Sequence, residues 1–359
     1  MNKKTIYYNL LIIPISLFVL LLTLFLTNIW KPSIVAIIFI TILLIIVAIF
    51  TWYLIKNSYS QFDKEHIHNF EDNFKQRFWK LGIIGFIADF CDTIGIGSFA
   101  VSIILLKLTK QVRNDKKILG IMNVGHSIPT CLEAIIFIAL IQVAWPTLVS
   151  LISSATLGAY LGAIIANKIK LSWSQLFIGV LLFIVSIIML LGQKQIGIMP
   201  TAGNNNSLDI WWKYLVGISI FFILGAFMAL GIGIYAPAMA TTYLLGLNAE
   251  CAFPIMMGSA AFLMLVAGTR FIKDKNYEIK PAIAFTLGGS IGVICAYLSV
   301  LLLLLQNGLG LNKEQFINIL LWLIIVIIWY TSSSLIITSV KNLRNYKKQK
   351  SHQKLIIDS

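Results

Sequence analysis

Long apolar stretches separated by short polar breaks run along the whole chain. Each stretch has about twenty residues, enough for a helix that crosses a hydrocarbon core of about 30 Å. The two longest polar breaks, at 56–80 and 192–212, are too short to fold as separate domains. The pattern predicts ten apolar segments in an all-α polytopic membrane protein, at residues 9–28, 33–55, 81–106, 118–143, 146–166, 172–191, 213–247, 250–269, 281–305 and 316–340.

Composition supports this class and excludes several others. Hydrophobic residues make up 58% of the chain and charged residues only 12%, where a soluble protein has about 25% charged residues. This excludes a soluble enzyme, a secreted disulfide scaffold and a disordered regulator. The first apolar run, which reaches Thr27, is too long for a signal peptide and no small-residue cleavage site follows it, so a retained span is expected.

Two segments, 85–101 and 221–237, carry Gly-Ile-Gly at matched places 136 residues apart. The pair Gly158/Gly162 is echoed downstream by Gly288/Gly292, which indicates an internal duplication. Paired glycine-interrupted apolar segments in corresponding halves point to the binding site of a transporter. The predicted organisation is two N-terminal helices with a polar loop (1–80), a first repeat (81–191), a linker (192–212), a second repeat (213–340) and a basic, mobile tail (341–359).

The distribution of Lys and Arg tests how these segments cross the membrane. If all ten segments are simple spans, 19 basic residues fall on the N-terminal side and 9 on the other. If the two Gly-Ile-Gly segments instead enter the membrane and return, the count becomes 24 against 4. Cytoplasmic loops carry the excess of Lys and Arg, so the count favours re-entrant segments, inverted repeats and cytoplasmic termini. The alternative is that the glycines only allow close helix packing.

A helix that begins inside the membrane exposes free N–H groups at the positive end of its dipole, which suits an anion. Ser98 is predicted as the N-cap of the first such helix, and Pro237 suits the first turn of the second. A small oxyanion between the two helix starts would need no arginine. The candidate substrate-binding residues are Gly95, Gly97, Ser98, Asn123, Ser127, Gly231, Gly233 and Tyr235.

Four ionisable residues lie at membrane depth, where they are costly and are candidates for function. They are predicted to be coupling or gating groups: Asp89, Asp92, His126 and Glu133. Burial disfavours the charged form of a carboxyl group, so a protonated Asp could accompany the anion. The alternative is a structural network between helices, for example Asp92 with His126.

The motifs DTIGIGSFA (92–100) with NVGHSIPTCLEA (123–134), and ALGIGIYAPAM (229–239) with GLNAECAFPIMMGSAAF (246–262), resemble the sulfite exporter TauE/SafE family of bacterial permeases. The resemblance extends over residues 81–340. The family's run of three glycines is reduced to Gly-x-Gly in both halves, and Asp89 and Asp92 stand where Gly is commoner. The resemblance implies export of a small, often sulfur-containing anion such as sulfite or a sulfonate, driven by an ion gradient.

The expected function is a permease or secondary transporter for a small anion in a bacterial plasma membrane, with protons as the coupling ion. No catalytic residue, cofactor, metal site or nucleic-acid partner is expected, and His66 with His68 is interpreted as a solvated pair. A passive anion channel is the first alternative. An intramembrane aspartyl protease is disfavoured because Asp92 precedes the Gly-x-Gly, and a membrane sensor because no output domain is visible.

Overall fold

The computed structural model describes residues 34–71, 76–112, 117–165, 171–191, 205–228, 233–301 and 313–357. Within these ranges the chain forms twelve α-helices. They are α1 (Ile34–Glu71), α2 (Phe78–Thr93), α3 (Ser98–Thr109), α4 (Ile118–Gly125), α5 (Ser127–Leu140), α6 (Trp145–Ile165), α7 (Leu171–Leu191), α8 (Trp211–Met228), α9 (Tyr235–Leu244), α10 (Ala252–Lys273), α11 (Ile279–Ala296) and α12 (Lys313–Ile357).

The predicted all-α membrane protein is confirmed. Among the described residues, five helices are long and apolar enough to cross a membrane: α1, α8, α10, α11 and α12. The bent pair of α4 and α5 would make a sixth span. The first predicted segment, 9–28, lies outside the described residues.

The first Gly-Ile-Gly segment lies between two helices, whereas Gly231 and Ile232 of the second lie outside the described residues. In the first half α2 ends at Thr93 and α3 begins at Ser98, and between them Gly95 and Gly97 have φ of 96° and 89°, a conformation that glycine adopts without steric cost. In the second half α8 ends at Met228 and α9 begins at Tyr235. At 1.5 Å per residue α3 is about 18 Å long and α9 about 15 Å. Both are shorter than the hydrocarbon core.

Helices from the first half of the chain pack against helices from the second half, and we call these the exchanged pairs. Helix α2 of the first half packs along α11 of the second, and α8 of the second packs along α6 of the first. The corresponding helices α5 and α10 pack on each other, and so do α7 and α12. The centre of the bundle is α10, whose span is 83% buried, against 28% for α8 at the periphery. The exposed residues of the peripheral helices are largely apolar, as lipid contact requires.

Glycines set how closely the exchanged pairs approach. A Cβ at Gly158 on α6 would overlap the carbonyl oxygen of Phe222 on α8, and a Cβ at Gly292 on α11 would overlap that of Phe86 on α2. Phe86 and Phe222 are separated by the same 136 positions as the Gly-Ile-Gly motifs.

The segment predicted as a single helix over 118–143 is bent by 40° where α4 meets α5 at His126. Pro129 has no N–H group, so the carbonyl oxygen of Gly125, four residues before it, has no helical donor. The hydroxyl of Thr286 on α11 lies 3.0 Å from this oxygen and 3.0 Å from the Ala282 carbonyl oxygen, so it can donate to either one. The proline and a side chain from the other half therefore stabilise the bend.

Two polar stretches predicted to be irregular are helical. Helix α1 continues through the predicted loop to Glu71, and α12 continues through the predicted mobile tail to Ile357. Residues 56–71 and 341–357 contain no Gly or Pro and are rich in Lys, Glu and Gln. Such residues favour helix without apolar patterning.

We expect Gly158→Ala to lower the free energy of unfolding by about 1–3 kcal/mol, because the added methyl group meets a carbonyl oxygen in a packed interface. Thermal unfolding of the detergent-solubilised protein measures the change. Gly82→Ala is the matched control, because a Cβ at Gly82 would lie 3.9 Å from its nearest neighbour, the carbonyl oxygen of Ala284. Equal stability of the two variants would contradict the close α6–α8 packing.

Candidate functional site

The carboxylate of Asp92 lies at the beginning of α3. Its Oδ1 accepts the backbone N–H of Ser98 at 2.6 Å, and its Oδ2 accepts the Ser98 hydroxyl at 3.1 Å. The first N–H groups of a helix have no partner within the helix, and they favour an anion. Gly97 is the N-cap, and its φ is 89°. The prediction of Ser98 as N-cap is therefore wrong: Ser98 is the first helical residue, and Asp92 accepts its N–H.

The same carboxylate connects the beginnings of the two short helices. The hydroxyl of Tyr235 donates to Asp92 Oδ2 at 3.0 Å. Tyr235 is the first residue of α9 and is separated from Asp92 by 143 positions. Asp92 thus accepts three hydrogen bonds, two from the first half and one from the second.

Asp89, one turn before Asp92 on α2, pairs with His126. The distance between Asp89 Oδ2 and His126 Nδ1 is 2.8 Å, and His126 Nε2 lies 2.8 Å from the hydroxyl of Ser102 on α3. The imidazole packs against Phe285, with ring centroids 4.9 Å apart. Asp89 Oδ1 is also 2.8 Å from Nδ1 but lacks hydrogen-bond geometry. The alternative pairing of Asp92 with His126 is not observed; the partner is Asp89.

Helix α11 provides the space for the Asp89 carboxylate. A Cβ at Gly289 would overlap Asp89 Oδ2. In the second half the position 136 residues after Asp89 is Gly225, where a Cβ would overlap the Ala155 carbonyl. The first half therefore has a carboxylate where the second half has a backbone contact.

The third carboxylate, Glu133 on α5, faces the same region. Its Oε1 lies 2.9 Å from the hydroxyl of Thr93, which also lies 2.8 Å from the carbonyl oxygen of Asp89. A hydroxyl has one proton, so Thr93 donates to only one of these oxygens at a time. Glu133 Oε2 is buried and has no hydrogen-bond partner.

The three carboxylates form one cluster without exposed surface. Asp89, Asp92 and Glu133 are each 0% exposed, and each offers an oxygen within 4.8 Å of those of the other two. Among the described ion pairs, His126 is the only basic partner of any of them. Isolated charges at this depth are costly unless they are paired or neutralised, so the cluster must be neutralised by protons or by a cation.

A cavity of about 320 Å³ opens beside Asp92. It is lined by the beginnings of α3 and α9 and by one face of α12, and no described lining residue is Lys or Arg. A larger cavity, of about 640 Å³, lies between residues 138–149 and 205–209, near the start of α1. We place the candidate site in the smaller cavity because the larger one contains none of the predicted site residues.

The structure brings some of the predicted substrate-binding residues together and separates others. Gly97, Ser98, Gly233 and Tyr235 line the small cavity. A Cβ at Gly95 would instead face Ile327, Met239 and Phe253, away from the lining. Gly231 lies outside the described residues.

Asn123 and Ser127 are also outside the lining. Asn123 donates to the Leu119 carbonyl at 2.9 Å. The Ser127 hydroxyl is within hydrogen-bond reach of two carbonyls, those of Asn123 and of Met264 on α10, and donates to one of them at a time. Both side chains are therefore occupied in helix packing.

The hydroxyl groups that α12 brings to the cavity were not predicted as site residues from the sequence. They belong to a polar run inside an otherwise apolar segment, Thr331-Ser332-Ser333-Ser334, and to its neighbours. Their spacing of three and four residues would have identified a single helix face. The lining residues are Tyr330, Thr331, Ser334 and Thr338.

A bundle of apolar helices around buried carboxylates and a small cavity defines the chain as a polytopic helical membrane protein. The profile of the sulfite exporter TauE/SafE family matches residues 7–189, and the chain belongs to this family. The match includes the two N-terminal segments and the first repeat, whereas the motifs of the second repeat lie beyond it. No curated protein and no solved structure matches the chain significantly.

We expect His126→Leu to destabilise the protein by about 3–5 kcal/mol, because it leaves the Asp89 carboxylate buried without its partner. Adding Asp89→Asn should recover part of this loss, since the uncompensated charge is then removed. Thermal unfolding of the two single variants and the double variant gives the coupling energy.

Ser259→Ala serves as the control for this cycle, because the Ser259 hydroxyl is buried without a hydrogen-bond partner. Its removal should change the unfolding midpoint little. Additive effects of the His126 and Asp89 substitutions would contradict a direct pair.

Proposed function

We propose that the protein is a secondary transporter that moves a small sulfur oxyanion, such as sulfite or an organosulfonate, across the plasma membrane. The substrate binds in the small cavity between the beginnings of α3 and α9. One observation carries this proposal: Ser98 and Tyr235, the first residues of the two short helices, both line the cavity and both donate hydrogen bonds to the same carboxylate.

The groups that hold Asp92 are suited to an oxyanion. A backbone N–H and two hydroxyl groups present donors, and hydrogen bonds to an ionised acceptor are the strong ones. The hydroxyls of Thr331, Ser334 and Thr338 extend this donor surface along α12. A volume of about 320 Å³ is at the small end of ligand pockets, which favours a small substrate.

Asp92 and its neighbours act as gating or coupling groups in this proposal. The Asp92 carboxylate already accepts the Ser98 N–H that a substrate anion would use. The carboxylate and the substrate therefore compete for this donor. Substrate entry therefore requires that Asp92 move away or that its charge be compensated. Asp89, His126 and Glu133 are in position to respond, because all three belong to the buried network around it.

The proposed arrangement in the membrane is a pair of inverted repeats with re-entrant short helices and cytoplasmic termini. The exchanged packing of α2 with α11 and of α8 with α6 supports the repeat. The lengths of α3 and α9 support segments that do not cross the whole membrane. The charge supports the orientation, because 24 of the 28 basic residues then face the cytoplasm of the bacterium.

We expect uptake of radiolabelled sulfite by reconstituted vesicles, and we expect Gly233→Leu to reduce it strongly. A Cβ at Gly233 would meet no atom of the described residues within 4 Å, so we expect the longer side chain to extend into the cavity that Gly233 lines. Gly233→Ala should retain most of the activity, because a single methyl group occupies open space. Thiosulfate, sulfonates and carboxylates compared in the same assay define the substrate class.

Gly82→Leu is the matched control, since Gly82 is a helical glycine away from the cavity. Equal uptake by Gly233→Leu and wild-type protein would move the site elsewhere. Uptake that never exceeds equilibrium under any imposed ion gradient would identify a passive anion channel.

We expect Asp92→Asn to bind sulfite more tightly and to transport it less against a gradient. The amide keeps an acceptor for Ser98 but removes the competing charge, and one interaction with a charged group is worth about 1.5–3 kcal/mol, or about tenfold to a hundredfold in affinity. Binding to purified protein and uphill uptake are measured in parallel. Unchanged binding and unchanged coupling in both Asp92→Asn and Asp89→Asn would remove the carboxylates from the mechanism.

A further inference from the structure

We propose that Asp89, Asp92 and Glu133 form a binding site for a hard metal cation, such as Na⁺ or Ca²⁺, held by carboxylate oxygens. The site is distinct from the anion cavity but shares Asp92 with it. The site itself does not depend on the proposed function, and only its coupling to the anion does.

The cluster contains two buried oxygens that accept no hydrogen bond, although one of them, Asp89 Oδ1, lies 2.8 Å from His126 Nδ1. Asp89 Oδ1 and Glu133 Oε2 have no hydrogen-bond partner. Their carboxylates and that of Asp92 each offer an oxygen within 4.8 Å of the other two. Buried polar atoms are almost always satisfied, so two unused carboxylate oxygens on neighbouring helices point to a ligand between them.

The hydrogen bonds indicate that the cluster lacks positive charge. Asp92 accepts hydrogen bonds from the Ser98 N–H, the Ser98 hydroxyl and the Tyr235 hydroxyl. With three donors directed at it, its carboxylate acts only as an acceptor. Asp89 is compensated at most once, by His126. Glu133 contacts the Thr93 hydroxyl and the Asp92 carboxyl, and neither of these groups is basic. Protons or a bound cation must therefore neutralise the carboxyls that His126 does not compensate.

A cation accounts for this arrangement better than a proton. A proton can be shared by two oxygens, whereas three carboxylates from α2 and α5 converge on the same place. Both nitrogens of His126 are engaged, by Asp89 and by Ser102, so the available ligands are oxygens. Oxygen-only sites select hard cations rather than Zn²⁺ or Cu²⁺.

The surroundings orient the carboxylates as the second shell of a metal site does. Gly289 leaves the space that the Asp89 carboxylate fills, and the imidazole of His126 holds its Oδ2. Thr93 holds Oε1 of Glu133 and leaves Oε2 free. The free oxygens are therefore held in place by fixed partners.

Because Asp92 belongs to both sites, binding of the cation should raise the affinity for the anion. A cation beside Asp92 weakens the competition of this carboxylate for the Ser98 N–H, which then becomes available to the substrate. Linkage requires that the anion raise the affinity for the cation by the same factor. The coupling ion would then be a metal cation rather than a proton.

The first experiment uses the purified full-length protein in detergent at constant pH, with choline chloride maintaining the ionic strength. Na⁺, Li⁺, K⁺, Ca²⁺ and Mg²⁺ are titrated separately, and binding is followed by calorimetry and by the midpoint of thermal unfolding. We expect one class of cation to bind and to raise the midpoint with concentration, as a ligand specific for the folded state does. A response to Na⁺ and Li⁺ alone assigns a monovalent site, and a response to Ca²⁺ or Mg²⁺ assigns a divalent one.

Glu133→Gln tests the location of the site, because the amide retains the contact with Thr93 and replaces the free oxygen by an N–H donor. We expect the affinity for the cation to fall by about tenfold or more. Glu250→Gln is the matched control: Glu250 lies in the short helical turn Ala249–Cys251, outside the cluster, and its substitution should leave the affinity unchanged.

The outcomes separate this inference from the proposed function. No binding of any cation by wild-type protein would overturn the inference, and so would binding that Glu133→Gln leaves unchanged. Sulfite binding that persists at the same affinity in choline alone would keep the anion site and remove the cation. Cation binding without any anion binding would keep the cation site and overturn the proposed transport function.

Discussion

The contact between the beginnings of the two short helices, α3 and α9, depends on one buried carboxylate. Asp92 accepts the first N–H of α3 and the hydroxyl of the first residue of α9, so that one side chain connects two short helices from different halves. A short helix that begins inside an apolar bundle needs partners for its free N–H groups, because no water is available there. Asp92 supplies such a partner, and the position it occupies at the helix N-terminus is one that also suits a substrate anion.

The two halves share their packing but differ in their charge. Gly158 and Gly292 allow equivalent close contacts in the exchanged helix pairs, whereas all three clustered carboxylates come from the first half. The second half contributes Tyr235 as a donor and Gly289 as the space for Asp89. The carboxylate cluster is therefore built from contacts that involve both halves of the chain.

The sequence predicted much of the architecture and about half of the site. The membrane class, the spans and the interruptions at the glycines follow from hydropathy and from residues with special backbone preferences, which are local properties. Among the predicted site residues, Ser98 and Tyr235 reach the cavity, but Ser127 faces α10 and Asn123 donates within its own helix. A polar stripe on a helix shows which residues share a face, and only the neighbouring helices decide what that face meets.

The amino-acid sequence by itself determined that the chain is a helical membrane protein of the TauE/SafE family with Gly-Ile-Gly in two of its apolar segments. It also identified the ionisable residues at membrane depth, because so few charges remain in the apolar segments. Only the tertiary structure decided that Asp89 pairs with His126, that Asp92 holds both short helices, and that α12 lines the cavity. Those contacts join residues far apart in the chain, and they arise from close helix packing that no local pattern specifies.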